Sequence, residues 1–239
     1  MERKGLVLFF LVLIVMSFVT GCNFWDLNAK KGDGIITSQE KTVSGFNTVV
    51  GNGIGNIHIY PAEDYKLVVT TDSNIQDDIG IAVRNNTLHI EDNNNQYKPT
   101  QLVIDVYMPE LEAVSLNGSG SIKVNTGTTS AFKIGLFGSG SIDTQTYQVQ
   151  YNTIDLSGSG SIKTMATDTL SVDIFGSGSI DAQNHGVKNA DITVSGSGSI
   201  KIWVTDALTG EIFGSGTIWY KGTPTQSIDK TGTGSAKTL

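Results

Sequence analysis

The sequence predicts an all-β solenoid, a parallel β-helix with rungs of about 18–20 residues. Three observations carry this expectation. The pentapeptide GSGSI occurs from Gly118, Gly138, Gly158, Gly176 and Gly196, and GSGTI from Gly214 and GTGSA from Gly232 extend the series at sequence spacings of 20, 20, 18, 20, 18 and 18. A fixed period of that size marks a stack of repeated units. Each unit also alternates apolar and polar residues with the two-residue period of a half-buried strand, as in Ile134/Leu136, Ile154/Leu156 and Val172/Ile174. Finally, every unit carries glycine and many Ser, Thr, Ile and Val residues, which excludes helical repeats.

The elements follow in chain order. Arg3 and Lys4 precede an apolar run at 6–19, broken only by Ser17. That run is too short to span about 30 Å of hydrocarbon, so residues 1–21 read as a secretory signal. Val19-Thr20-Gly21-Cys22 resembles the lipobox of bacterial lipoproteins, which implies cleavage before Cys22 and its acylation. Several acyl chains give stable attachment to a membrane. Asn23, in place of an aspartate, then points to the outer membrane if the source is Gram-negative. Residues 22–34 form a tether that includes Phe24 and Trp25.

Residues 35–113 show β-rich runs at 48–50, 57–60, 66–71, 79–83, 87–90 and 102–108, with Asn85-Asn86 suited to a tight hairpin. This segment reads as the less regular start and cap of the same solenoid. Residues 114–239 hold the exact repeats, in which each rung is a strand, a Gly-x-Gly corner and a second strand that ends the apolar ladder at Ile122, Ile142, Ile162, Ile180, Ile200 and Ile218. Glycine supplies positive φ at the corner and leaves no Cβ against the rungs above and below. Ser119, Ser139, Ser159, Ser177, Ser197 and Ser215 should stack as a hydroxyl ladder that Thr233 continues.

Charge sets the rung length. The residue after the ladder isoleucine runs Lys123, Asp143, Lys163, Asp181, Lys201. A rung as long as one repeat stacks opposite charges, whereas a rung as long as two repeats would stack like on like, which is unfavourable. The recurrence of Phe137, Phe175 and Phe213 on every second repeat argues the other way, unless these rings face outward on alternate short rungs.

These residues also resemble a known bacterial family, the putative auto-transporter adhesins with a head GIN domain. The resemblance rests on Ser44-Gly45-Phe46-Asn47, on Val49-Val50-Gly51-Asn52-Gly53-Ile54-Gly55-Asn56-Ile57, on Val106-Tyr107-Met108-Pro109-Glu110-Leu111 and on the Gly-Ser-Gly-Ser-Ile series, and it covers residues 43–222. It implies a right-handed parallel β-helix at the cell surface. Adhesion follows only by fold analogy, and the family supplies no catalytic or binding residues to carry over.

Composition narrows the function classes. One cysteine excludes a disulfide scaffold, and with 3 histidines it leaves no set of Cys/His metal ligands. The net charge of −7, with Arg3 and Arg84 the only arginines, lacks the basic footprint of a nucleic-acid binder. No cofactor motif is present: the glycines lack a following Gly-Lys-Ser/Thr, and the serines lack a strand-to-helix G-x-S-x-G elbow. The residues that remain are surface candidates. The Phe137/Phe175/Phe213 row is the candidate binding stripe, for a surface glycan or a protein ligand. Asp155, Asp173 and Asp191, spaced by 18, are a candidate acidic face expected in register. Because Leu239 follows the last repeat closely, either Trp203, Trp219 and Tyr220 cover the final rung or copies associate end to end. The sequence therefore predicts a lipid-anchored, non-catalytic binding or scaffold module of the bacterial envelope. The alternatives are a carbohydrate-active β-helix enzyme and an envelope structural or sensory lipoprotein.

Overall fold

The computed structural model describes residues 29–53, 55–92 and 97–239. The signal segment, Cys22, Phe24 and Trp25 lie outside the described residues, as do Asn93, Asn94 and Asn95. The described chain is nearly all strand, with one short 3₁₀ turn at Gln76–Asp78 and no α-helix among the described residues. Its strands stack in parallel as a β-solenoid, as the repeats predict.

Each repeat lays one strand on a leading ladder and one on a trailing ladder, joined by the glycine corner. On the leading ladder Ala113–Gly118 pairs with Gly127–Gly138, which pairs with Tyr147–Gly158, then Thr169–Gly176. On the trailing ladder Ser121–Val124, Ser141–Asp143 and Ser161–Lys163 stack in the same order. Register places Lys123 opposite Asp143, Asp143 opposite Lys163, Lys163 opposite Asp181 and Asp181 opposite Lys201. Opposite charges therefore alternate up the stack, and the short rung holds.

The corner glycines share one column: Gly53, Gly118, Gly138, Gly158, Gly176, Gly196, Gly214 and Gly232 are paired in register. All have φ between 115° and 141°, a region that side chains avoid. A Cβ on Gly176 would also lie 2.6 Å from the Gly158 carbonyl oxygen. The second glycine of each motif is needed for a different reason. Gly140 and Gly160 have no positive φ, but a Cβ there would sit 2.7 Å from the Leu116 and Leu136 side chains of the rung below. One glycine serves the turn, the other the stacking distance.

Inward columns form the core. Ile57, Ile122, Ile142, Ile162, Ile180, Ile200 and Ile218 run through the trailing ladder, all buried. Val114, Ile134, Ile154, Val172 and Ile192 run through the leading one. Burying each such side chain contributes about 1.5–3 kcal/mol.

Rungs do not stack in chain order at the N-terminal end. The rung made by Thr48–Gly53 and Asn56–Pro61 lies between the rung of Thr87–Asp92 and Leu102–Met108 below and the first exact repeat above. The chain before and between these rungs covers the lower edge with antiparallel pairs: Lys66–Asp72 on Leu102–Met108, Ile36–Lys41 on Lys66–Asp72, and Ile79–Arg84 on Thr87–Asp92. Asn85 and Asn86, at φ 49° and 60°, make the two-residue turn of that last hairpin. The segment read as irregular rungs thus contains two parallel rungs and an antiparallel cover.

The opposite edge is handled by side chains. In the outermost rung Gln226, Ile228 and Lys230 face Leu208, Gly210 and Ile212 across the register, so a charge stands in a column that is apolar below it. A charge placed in an inward column blunts an edge against pairing with another chain. Of the three residues expected as a cover, Tyr220 packs against the core, whereas Trp219 stands in the outward Lys201 column and Trp203 is 38% exposed.

The corner geometry makes one glycine far more sensitive than another. Gly176→Ala should cost about 1–3 kcal/mol for the forbidden φ alone. Gly186→Ala, whose Cβ would meet only ordinary contacts at 3.4 Å, should stay within about 0.5 kcal/mol; urea midpoints compare the two. The antiparallel cover gives a second expectation, at Asp72, the fully buried last residue of its strand Lys66–Asp72. Burial pushes its pKa up, but the Thr100 hydroxyl (2.7 Å) and the Gly34 and Thr100 N–H groups (both 2.8 Å) outweigh that and hold it below 3.8. A lowered folded-state pKa gives stability that is complete above 3.8 and lost as pH falls through the lowered value. Asp72→Asn should therefore lower the thermal midpoint at neutral pH and flatten its acid dependence.

Candidate functional site

Outward columns of the leading ladder build a surface of in-register rows. Alternation along each strand sends Leu136, Leu156 and Ile174 inward, so the next residue points out. Phe137 stands opposite Ser157, Ser157 opposite Phe175, Phe175 opposite Ser195, and Ser195 opposite Phe213. The rings occupy alternate rungs, about 9.6 Å apart at a rung spacing of about 4.8 Å. They are 45%, 51% and 45% exposed. The Phe137 ring reaches back over Gly135, where a Cβ would lie 2.9 Å from ring atom Cε2. Asn117 precedes the row and donates to Asn52 Oδ1 at 2.6 Å, and Thr231 follows it. The row is thus a line of three aromatic rings separated by single serine hydroxyls.

Two residues earlier on each strand, a second outward column carries acids. Asp155 faces Asp173 as expected. Asp191 does not continue the column: it faces Ser171, and Thr193 stands opposite Asp173. The reason is rung length. The corner recurs at a spacing of 18 from Gly158 to Gly176 but of 20 from Gly176 to Gly196, so a constant spacing of 18 leaves Asp191 one outward column short. Glu211 and Asp229, which the spacing argument missed, restore acids to the column beyond Thr193.

A concave feature runs along the corner. It is a trough of about 530 Å³, lined by the serines of three successive motifs (Ser119, Ser121, Ser139, Ser141, Ser159, Ser161) and closed at one end by Pro99, Thr100, Gln101 and Leu102. Among the described residues that line it there is no acid, base or cation. The histidine nearest to a catalytic arrangement is His58, whose Nδ1 lies 3.2 Å from Asp105 Oδ1. The pair is distant in sequence, and only the out-of-order stacking joins it. Both residues stand on the trailing ladder, and neither lines the trough. Among the described residues no group of three or more His, Cys, Asp or Glu side chains could hold a metal ion.

Comparison with known proteins agrees with this architecture. A crystal structure from Parabacteroides distasonis, described as a putative lipid binding protein, is 27% identical, with a TM-score of 0.74 over 87% of this chain and 98% of its own. A putative adhesin from Bacteroides fragilis is 24% identical, with a TM-score of 0.75 over 87% and 99%. A putative adhesin from Parabacteroides merdae is 18% identical, with a TM-score of 0.71 over 89% and 99%. The latter two matches establish the fold alone. No curated protein matches the sequence. The family described as putative auto-transporter adhesin, head GIN domain, matches residues 45–224, most of the solenoid, and the chain belongs to it.

Proposed function

We propose that the protein is a lipid-anchored module of the bacterial envelope that binds its ligand along the leading ladder, with Phe137, Phe175 and Phe213 as the contact row. The observation that carries the reading is the row itself: three half-exposed rings in register on a rigid sheet. Aromatic rings supply large contact area at low entropic cost, and exposed apolar rows mark interaction sites. Anchoring rests on Cys22 within Val19-Thr20-Gly21-Cys22. No helix among the described residues is long and apolar enough to cross a membrane.

The flat row suits an extended ligand, a glycan chain or a strand-like protein segment, better than a single acyl chain that needs enclosure. The absence of titratable groups from the trough lining favours binding over glycan cleavage. An array of glycans and matrix proteins probed with the full chain and with a Phe137→Ser/Phe175→Ser/Phe213→Ser variant tests the row. At about 0.5–1.5 kcal/mol per ring beyond area burial, the variant should bind at least about tenfold more weakly. Unchanged binding by a folded variant refutes the proposal.

A further inference from the structure

The trailing ladder carries a second surface, and it is marked by a break in a pattern. Its outward column reads Asp105, His58, Lys123, Asp143, Lys163, Asp181, Lys201 up the stack, so cations and acids alternate through the exact repeats. Alternation then stops. Trp219 follows Lys201 where an acid would continue the series, and Lys237 follows Trp219. In the adjacent outward column Trp203 is succeeded by Lys221. The last three rungs therefore present a checkerboard of Lys201, Trp203, Trp219, Lys221 and Lys237, and the nearest acid in register is Asp181, one rung below Lys201.

Among the described residues, no carboxylate lies within ion-pair distance of Lys201, Lys221 or Lys237. In register, Lys163 has an acid on both sides, Asp143 and Asp181, Lys201 has one, Asp181, and Lys221 and Lys237 have none. Two of the ammonium groups are instead held over indole rings, Lys221 Nζ 4.6 Å from the Trp203 centroid and Lys237 Nζ 5.3 Å from that of Trp219. A cation–π contact fixes a cation in place without neutralising it. Trp203 lies along the sheet: Cβ atoms on Gly186 and on Gly222, which flank it on the neighbouring rungs, would each meet its ring at 3.4 Å. A protein of net charge −7 thus gathers three lysines and two indoles on neighbouring rungs, and of the three only Lys201 has an acid beside it in register.

We propose that this patch binds a polyanionic glycan, a chain of sugars bearing carboxylates or sulfates. The ammonium groups complement its repeated anions, and the C–H faces of the sugar rings stack on the indoles. A membrane surface fits less well, because an interfacial tryptophan must reach into the headgroup layer whereas Trp203 is laid against its own sheet. The site is on the trailing ladder and is independent of the phenylalanine row.

Tryptophan emission reports the patch directly, because two of the 3 tryptophans are in it, Trp25 being the other. The experiment titrates the full chain with polygalacturonate and, separately, with neutral dextran of matched length. Polygalacturonate should change the emission saturably, with affinity falling about tenfold as salt rises from about 0.05 to 0.3 M. Neutral dextran should not. Lys201→Gln/Lys221→Gln/Lys237→Gln should weaken binding about tenfold or more, with an unchanged thermal midpoint showing that it folds. The phenylalanine-row variant should bind polygalacturonate normally. Equal response to dextran, retention of affinity within about twofold by the folded lysine variant, or loss of binding in the phenylalanine-row variant overturns the proposal. Binding to phosphatidylglycerol vesicles without binding to polygalacturonate does so too, by making the patch a membrane surface.

Discussion

Everything in this protein depends on the close approach of one corner to the next. Where Gly138 stacks on Gly118, the Gly118 carbonyl receives the N–H groups of Ser139 and Gly140, both at 3.0 Å, and there is no room for a side chain between them. The turn conformation and the inter-rung hydrogen bonds are one constraint. It accounts for the high glycine content, the Ile/Leu/Val columns on either side of the corner, and the in-register columns on the outside. An outward residue recurs beside its counterpart in the next rung whether or not it is useful there, so the scaffold converts sequence repetition into rows.

The fold was legible because its period is written in residues that nothing else requires. Gly118 to Gly232 mark the corners, the Lys123–Lys201 alternation decides between two rung lengths, and Asn85-Asn86 announces a hairpin. Other features were hidden for physical reasons. The placement of 48–61 between 87–108 and 113–124 is a matter of which edge the returning chain reaches, and local periodicity carries no information about that. His58–Asp105 was invisible as a consequence. Asp191 falls outside the acidic column because the rungs are of unequal length, which a constant spacing of 18 does not express. The signal that marks the trailing-ladder patch was present in the sequence, since Trp219 interrupts the charge alternation, but it has meaning only once register shows Lys201, Trp219 and Lys237 in one column.

The two candidate surfaces differ in their chemistry. The phenylalanine row is apolar, flanked by Asp155, Asp173, Glu211 and Asp229, and so repels anions from its edge. The Lys/Trp checkerboard attracts them. Serine hydroxyls line the corner between. Neither surface needs a moving part, because the rungs hold each side chain at a fixed pitch, and ligands built from repeating units can meet such rows at several points at once.

The out-of-order rung has a consequence for how the molecule assembles when the chain is delivered from its N-terminal end. Residues 48–61 have no parallel partner on either side until 87–108 and then 113–124 have been delivered. The first stack must therefore close loops of roughly forty to sixty residues before any corner is satisfied, whereas each later rung closes a loop of only a single repeat. On loop-closure grounds the first stack is expected to form more slowly than the exact repeats that extend it.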